Sequence, residues 1–386
     1  MANMKIGYIV FAYISLFSLG LIDNTRGPVY PNILEFFQLN NAQGAWIFTL
    51  SSLSSFITAF FSKKWLSIFG IINSSKLALL MHTIACLIMG LSSNQDYILF
   101  LIAAVIFGVG VGILSLTLNL IISRNSALEH RRRTFAGLHS MYGIASLLAP
   151  ILVGYLGMLS MHWQTLFLIV SLIPLSCLVV FFLSPNQVRL PDSVSQINLN
   201  HKRQFLLAMI FSGYISAEVL LSSRLVIYLT QVKDLSLKVG SEYLSYFFLC
   251  LLLGRLTFTF IHIKVDSKKL LIISLLSSII FSVLGILVSP ILLTITGLSM
   301  SYFFPCAMDW LSESLHTEVE NVLGTIMIYV GGSLVLSHWV FGTLATYIGL
   351  SAIVWIIPAL LVIVWFLLQF ATGFLAKPDE FVRVKT

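Results

Sequence analysis

Residues 98–123 read ILFLIAAVIFGVGVGILSLTLNLIIS, an apolar run without a charged side chain, held between Asp96 and Arg124. A helix needs about 20 mostly apolar residues to cross the hydrocarbon of a bilayer, and this run exceeds that length. Working outward, the same reading gives eleven more spans, at 6–36, 43–62, 76–93, 134–158, 163–183, 204–231, 241–262, 268–288, 290–313, 320–345 and 350–375. Across 386 residues the chain is 58% apolar and 10% charged, against about 45–50% and about 25% in soluble domains. That excludes a soluble fold and leaves no room for a separate catalytic domain. The expected class is an all-α integral membrane protein with twelve transmembrane helices. Lys5 leads directly into a long hydrophobic stretch with no small-residue cleavage pattern, so the first span reads as a retained helix rather than a signal peptide.

The net charge of +7 is a matter of topology. With the N-terminus cytoplasmic, seventeen Lys and Arg residues fall on the inside, among them Lys63, Lys64, Arg131, Arg132, Arg133, Lys202 and Arg203, and only Lys233 and Lys238 fall outside. The positive-inside rule then places both termini in the cytoplasm and requires an even number of spans. His130-Arg131-Arg132-Arg133 reads as part of this topology signal, and the basic balance implies no nucleic-acid partner. The expected location is the plasma (cytoplasmic, inner) membrane, with the lipid bilayer as partner and a monomer as the working unit. Cys86, Cys177, Cys250 and Cys306 lie singly in apolar runs and read as small buried hydrophobes.

The longest polar stretch, from Ser184 to Arg203, contains Pro185 and Pro191 and reads as a linker. It divides the chain into an N-terminal six-helix half (1–183), a cytoplasmic linker (184–203), a C-terminal six-helix half (204–376) and a tail (377–386). The halves echo each other: Gly20 falls on Gly213, Asn73 to Leu77 on Asp266 to Leu270, Gly137 on Gly324, and Tyr142 on Tyr329. Such a parallel duplication belongs to secondary transporters, whose substrate sites lie near the midplane between the repeats.

The charges inside the spans are the candidate site. Asp23-Asn24-Thr25-Arg26-Gly27-Pro28-Val29-Tyr30-Pro31 places an acid and a base beside two prolines, which cannot donate to the carbonyls of Asn24 and Gly27. The expectation is a polar, broken-helix site, with Asp23 about 27 Å along the helix from Lys5. In the seventh span Glu218 and Arg224 lie in the matching helix, with Glu218 about 22 Å from Arg203. An ionised carboxylate at that depth is costly unless paired, and its partner is Arg26, Arg224 or Arg255. Asp23 and Glu218 are therefore the candidates for proton coupling. Arg26 and Arg224 are candidate counter-ions or binders of an anionic group, and Asn24, Asn119 and Tyr302 candidate hydrogen-bonding residues. All would line a cavity between spans one, four, seven and ten.

Gly108-Val109-Gly110-Val111-Gly112 lies within an apolar helix, with no preceding strand and no Lys-Ser/Thr after it, so it reads as close helix packing rather than a nucleotide loop. Trp46, Trp163 and Trp310 read as interfacial anchors. With no HExxH, GxSxG, P-loop or paired-Cys signature, no enzyme, metal site or cofactor is expected.

Two six-helix halves, a central linker and both ends inside resemble the major facilitator superfamily over nearly the whole chain. That family's loop between spans two and three, GxxxD(R/K)xG(R/K), is reduced here to Gly70 and basic flanks in Lys63 to Ile71. Leu138 to Gly143 with Pro150, Tyr214 to Glu218 with Tyr228-Leu229, Gly254-Arg255 and Phe303-Phe304-Pro305 are similar to the fucose permease-type branch of fucose–galactose–glucose:proton symporters. There a first-span carboxylate works with a fourth-span one. Asp23 matches the first, no acid occurs from Leu114 to Ser123, and Glu218 is the candidate replacement. The resemblance implies a secondary active transporter of a small polar solute, a sugar or an organic anion, coupled to protons and working by alternating access. An exporter resembling the drug:proton antiporters ranks second; of their GxxxGPxxGG motif, Ala145 to Gly154 keeps Pro150 and Gly154. A membrane sensor on the same fold is the non-carrier alternative.

Overall fold

The computed structural model describes residues 2–126, 131–183, 201–260, 265–315 and 319–375. The linker from 184 to 200 and the tail from 376 onward lie outside the described residues. The first half comprises α1 (Ala2–Phe36), α2 (Asn41–Phe60), α3 (Ser62–Phe69), α4 (Ile71–Leu91), α5 (Tyr97–Asn125), α6 (Arg131–Met158) and α7 (Trp163–Val180). The second comprises α8 (His201–Gln231), α9 (Leu237–Phe260), α10 (Ser267–Leu287), α11 (Ile291–Ser301), α12 (Phe303–Leu315), α13 (Val319–Ile348), α14 (Leu350–Ile353) and α15 (Ile356–Leu375). Eleven candidate spans meet both the length and the hydropathy of a membrane-crossing helix among the described residues. The twelfth is α2, 20 residues long, whose Thr49, Ser51, Ser52, Ser54, Ser55 and Thr58 hold its hydropathy below that of the other eleven. Large apolar side chains such as Ile98, Leu172, Val180 and Phe370 are exposed around the bundle, where acyl chains would cover them.

Three local features depart from the sequence reading. First, α1 runs unbroken through Pro28 and Pro31, so the expected broken helix is corrected to a continuous one. Prolines are tolerated inside a membrane helix whose neighbours hold it straight. Here Gly27 permits that support, because a Cβ there would already touch the Ser223 backbone of α8 at 3.4 Å. Second, the tenth span, read as one run, is two helices: α11 ends at Ser301 and α12 starts at Phe303. Pro305 has no N–H for the Ser301 carbonyl, and its ring opposes that carbonyl, which explains a break at Tyr302. Third, the third span starts at Ile71 rather than at 76, because Ser74 and Ser75 donate their hydroxyls back to the carbonyls of Gly70 and Ile71 at 2.6 and 3.0 Å. Gly70, at φ 70°, makes the corner between α3 and α4. Two tryptophans also turn inward: Trp310 is buried, and Trp163 sits edge-on to Phe36, Phe100 and Phe167.

The bundle has two ends, one carrying the basic N-terminal start of α1 and the other, termed the far end, carrying Phe36. The halves meet along the bundle, at Gly331 against Phe56 and Gly143 against Leu252, and again toward the far end. The Ala42 amide donates to Thr346 Oγ1 at 2.8 Å. α2 meets α13 where a Cβ at Gly342 would lie 2.0 Å from that of Ala45. α6 meets α9 where a Cβ at Gly154 would lie 3.6 Å from that of Ser241. The far end is closed.

Within the first half, the glycine array of α5 acts as the sequence indicates. A Cβ at Gly108 would come within 2.1 Å of the Ser51 carbonyl, and one at Gly112 within 2.5 Å of the Ser55 carbonyl. Gly110 faces the other way, against the His82 ring of α4. Gly108→Ala is expected to lower stability by about 1–3 kcal/mol through overpacking, read as a lower thermal midpoint in detergent. Gly332→Ala, where a Cβ meets nothing within 4 Å, is the control and should be neutral or slightly stabilising.

Candidate functional site

Asp23 and Arg26 are one turn apart on α1 and form an ion pair. The Tyr142 hydroxyl of α6 donates to the other Asp23 oxygen at 2.8 Å. Arg26 also donates to Ser51 Oγ of α2 at 2.8 Å and lies over the Phe107 ring at 4.4 Å. Asn24 donates to the Gly20 carbonyl at 2.8 Å and to Ser146 Oγ at 2.9 Å. Gly20 makes this arrangement possible: a Cβ there would sit 2.9 Å from the Tyr142 ring, so only glycine lets α6 close enough for the phenol to reach Asp23. Asp23 keeps 29% of its side chain exposed while Arg26 keeps 7%.

The second half builds a parallel cluster from different positions. Glu218 of α8 pairs with Arg255 of α9 at 3.4 Å and lies 2.8 Å from the Tyr214 hydroxyl. That hydroxyl is also 2.5 Å from the Met300 carbonyl, near the break between α11 and α12. With a single O–H, Tyr214 donates to one of these two acceptors at a time. Its ring stacks on Phe303 at 3.8 Å. Gly254, where a Cβ would lie 1.8 Å from Ser301 Oγ, brings α9 in beside the break. Of Arg26, Arg224 and Arg255, the three arginines that could partner Glu218, the structure selects Arg255.

Between these clusters and the far end lies a sealed aromatic layer. Arg224 is 2% exposed, with its guanidinium carbon 4.4 Å from the Tyr30 ring centroid, 4.3 Å from that of Phe48 and 5.6 Å from that of Phe341. Among the described residues none of its three nitrogens makes a hydrogen bond of good geometry, although the Tyr30 phenol lies within reach of the guanidinium. Phe48 also carries Arg26 at 5.4 Å and stacks on His338 at 5.2 Å. A buried charge without a counter-ion costs several kcal/mol. Each desolvated cation–π contact returns about 2 kcal/mol, so two close rings and a third more distant one offset much of that cost.

Asp23, Asn24 and Arg26 thus share one cluster, Glu218 anchors a second, and Arg224 belongs to the layer beyond both. Asn119 stands apart: its amide donates to the Ser115 carbonyl of its own helix at 2.7 Å. Tyr302 marks the break and is half-buried. The side chains of Asp309 and Glu313 lie outside the described residues. The sequence reading did not find Ser51, Ser146, Phe48, Phe107 or His82 as partners. His82 is fully buried and stacks on Phe107 at 4.9 Å, on the ring that also carries Arg26. The only sequence signal for these residues is their place in spans two to five. A depression of about 680 Å³ opens at the far end between Glu35, Gln38, Asn41, Thr230, Gln231 and Thr346, outside the seal and away from both carboxylates.

The model of the Major Facilitator Superfamily matches residues 12–338. A D-xylose-proton symporter superposes with a TM-score of 0.74 over 94% of this chain and 97% of that one, at 14% identity. FucP, a Major Facilitator Superfamily transporter in the outward conformation, superposes with a TM-score of 0.65 over 95% of this chain and 99% of that one, at 15% identity. At these identities the likeness is one of fold. A Saccharomyces cerevisiae protein, Bypass of stop codon protein 6, is 26% identical over 164 residues, which is 42% of this chain and 32% of that protein. The match thus spans about a third of that relative's length.

Tyr142→Phe removes a donor from the Asp23 carboxylate and is expected to cost about 1.5–3 kcal/mol of stability. Phe48→Leu strips a ring from two guanidiniums and should cost about 3 kcal/mol or more. Combined with Arg224→Gln, its effect should be less than additive by about 1 kcal/mol or more, measured as a double-mutant cycle on thermal unfolding.

Proposed function

The chain belongs to the Major Facilitator Superfamily, a family of transporters, and from this premise we propose that it is a proton-coupled secondary carrier of a small polar solute, a sugar or an organic anion. The observation that carries the reading is the pair of acid–phenol–guanidinium clusters, Asp23–Tyr142–Arg26 and Glu218–Tyr214–Arg255, one in each half. Both carboxylates keep partial exposure, and in this reading water reaches them from the basic end. The positive-inside rule makes that end cytoplasmic, with both termini there, in the plasma membrane. Alternating access then requires the contacts at Ala45–Gly342, Ser223–Gly27 and Ser241–Gly154 to part while the basic end closes. The chain is proposed to work as a monomer, with protons as coupling ion, and Asn119 and Tyr302 as lining of the open cavity.

Tyr214 supplies a coupling device. When Glu218 is ionised, the phenol donates to it and leaves the Met300 carbonyl. When Glu218 is protonated, its own O–H donates to the phenol oxygen, and the phenol is free to donate to Met300. Protonation is thereby communicated to the hinge between α11 and α12. Asp23 likewise accepts from a phenol, that of Tyr142, and on protonation would lose its charge toward Arg26.

Two experiments test this. In liposomes holding a pH-sensitive dye, an external sugar or organic anion that is transported should acidify the lumen. Asp23→Asn and Glu218→Gln should each cut that signal by about tenfold or more while leaving gradient-free exchange of the same solute in place. Exchange lost together with the signal, or a signal unchanged in both variants, would contradict the coupling role. Secondly, Gly154→Cys with Ser241→Cys, whose Cβ atoms are spaced within the disulfide range of about 3.5–4.5 Å, should arrest flux when oxidised and release it on reduction.

A further inference from the structure

Arg224 is the most deeply buried guanidinium among the described residues; its nitrogens make no well-aligned hydrogen bond there, and the polar group within reach is the neutral phenol of Tyr30. Its closest rings, Tyr30 and Phe48, belong to the opposite half of the molecule. Opening the far end separates the halves and withdraws those rings, leaving a desolvated guanidinium that needs a new partner. Neither neighbouring carboxylate is available, since Asp23 is committed to Arg26 and Glu218 to Arg255. Arg26 shares the Phe48 ring and repels Arg224. The layer therefore carries one cationic charge that no side chain among the described residues balances. A guanidinium retained only to pack a helix interface would be paired, and a purely aromatic seal would need no charge.

We propose that Arg224 receives the carboxylate or phosphate of the transported solute while the far end is open, so that the solute is an organic anion rather than a neutral sugar. Tyr30 and Phe48 are place-holders: they take over the guanidinium as the far end shuts, and the anion is released toward the basic end. This rests on the carrier reading above and narrows its substrate class.

The test is equilibrium binding on the detergent-purified full chain without any gradient, read by thermal shift and calorimetry. The probes are D-glucuronate against D-glucose, which differ by one carboxylate, together with malate and inorganic phosphate. At least one anion should raise the thermal midpoint where glucose does not. Arg224→Gln should weaken its affinity by about tenfold or more, with Arg224→Lys in between. The oxidised Gly154→Cys/Ser241→Cys pair should abolish the response and reductant should restore it. Equal responses to glucose and glucuronate, an anion affinity unchanged in Arg224→Gln, a response that survives the lock, or silence toward all three anions at tens of millimolar would each overturn the proposal. A carrier of neutral sugars would keep its proton-coupled flux and fail only here, so the two readings fail separately.

Discussion

A charge inside hydrocarbon has to be paired, caged or wet, and the architecture of this protein follows from how each of its intramembrane charges meets that requirement. Asp23 and Arg26 pair on one helix turn, Glu218 and Arg255 pair across two helices, and Arg224 is caged by rings. Each solution demands close approach of helices, and each approach is made at a residue too small to obstruct it. Gly20 admits Tyr142, Gly254 admits the break beside Met300, and Gly44 clears room for Tyr30, whose hydroxyl would be 2.6 Å from a Cβ at that position. The array in α5 does the same for α2, which carries Ser51 and Phe48. Small residues and buried charges are parts of one design.

The two halves use the same chemistry at non-equivalent positions. Each sets a carboxylate between a phenol and a guanidinium, but in the first half the base is on the same helix as the acid and in the second it is on α9. The first cluster is braced by Ser51 and Ser146, while the second is attached to a helix break through Tyr214. Under the proposed coupling, that asymmetry makes the second half the one whose helix break responds to protonation. The break between α11 and α12 at Tyr302 lies where the tenth span meets Gly254 of the eighth.

Spans and charge segregation were legible in the sequence because both are local: an apolar run and its flanking lysines need no knowledge of neighbours. The pairing of Asp23 with Arg26 was legible for the same reason, being one helical turn. What the sequence concealed is tertiary. Pro28 and Pro31 suggested a broken helix, yet α8 packs so closely on Gly27 that α1 stays continuous. Pro305 lies in a run read as one span, 290–313, yet α11 ends at Ser301, four residues before it. Phe48 gives no sign in its own helix that it carries two arginines and a histidine, because those come from three other helices. Asn24 and Asn119 both donate to a carbonyl of their own helix, and only the tertiary contact shows that Asn24 also reaches Ser146 of α6.

The central claim is that protonation of the two half-buried carboxylates biases the far-end seal. Spin labels at Gln38 and Thr346, in a chain whose four native cysteines are replaced, would report the gap between the halves by pulsed electron paramagnetic resonance. The account requires two distance populations, with the balance between them moving with pH in the otherwise native chain and fixed in the Asp23→Asn/Glu218→Gln double variant. A single population, or a pH response that persists in the double variant, would contradict it.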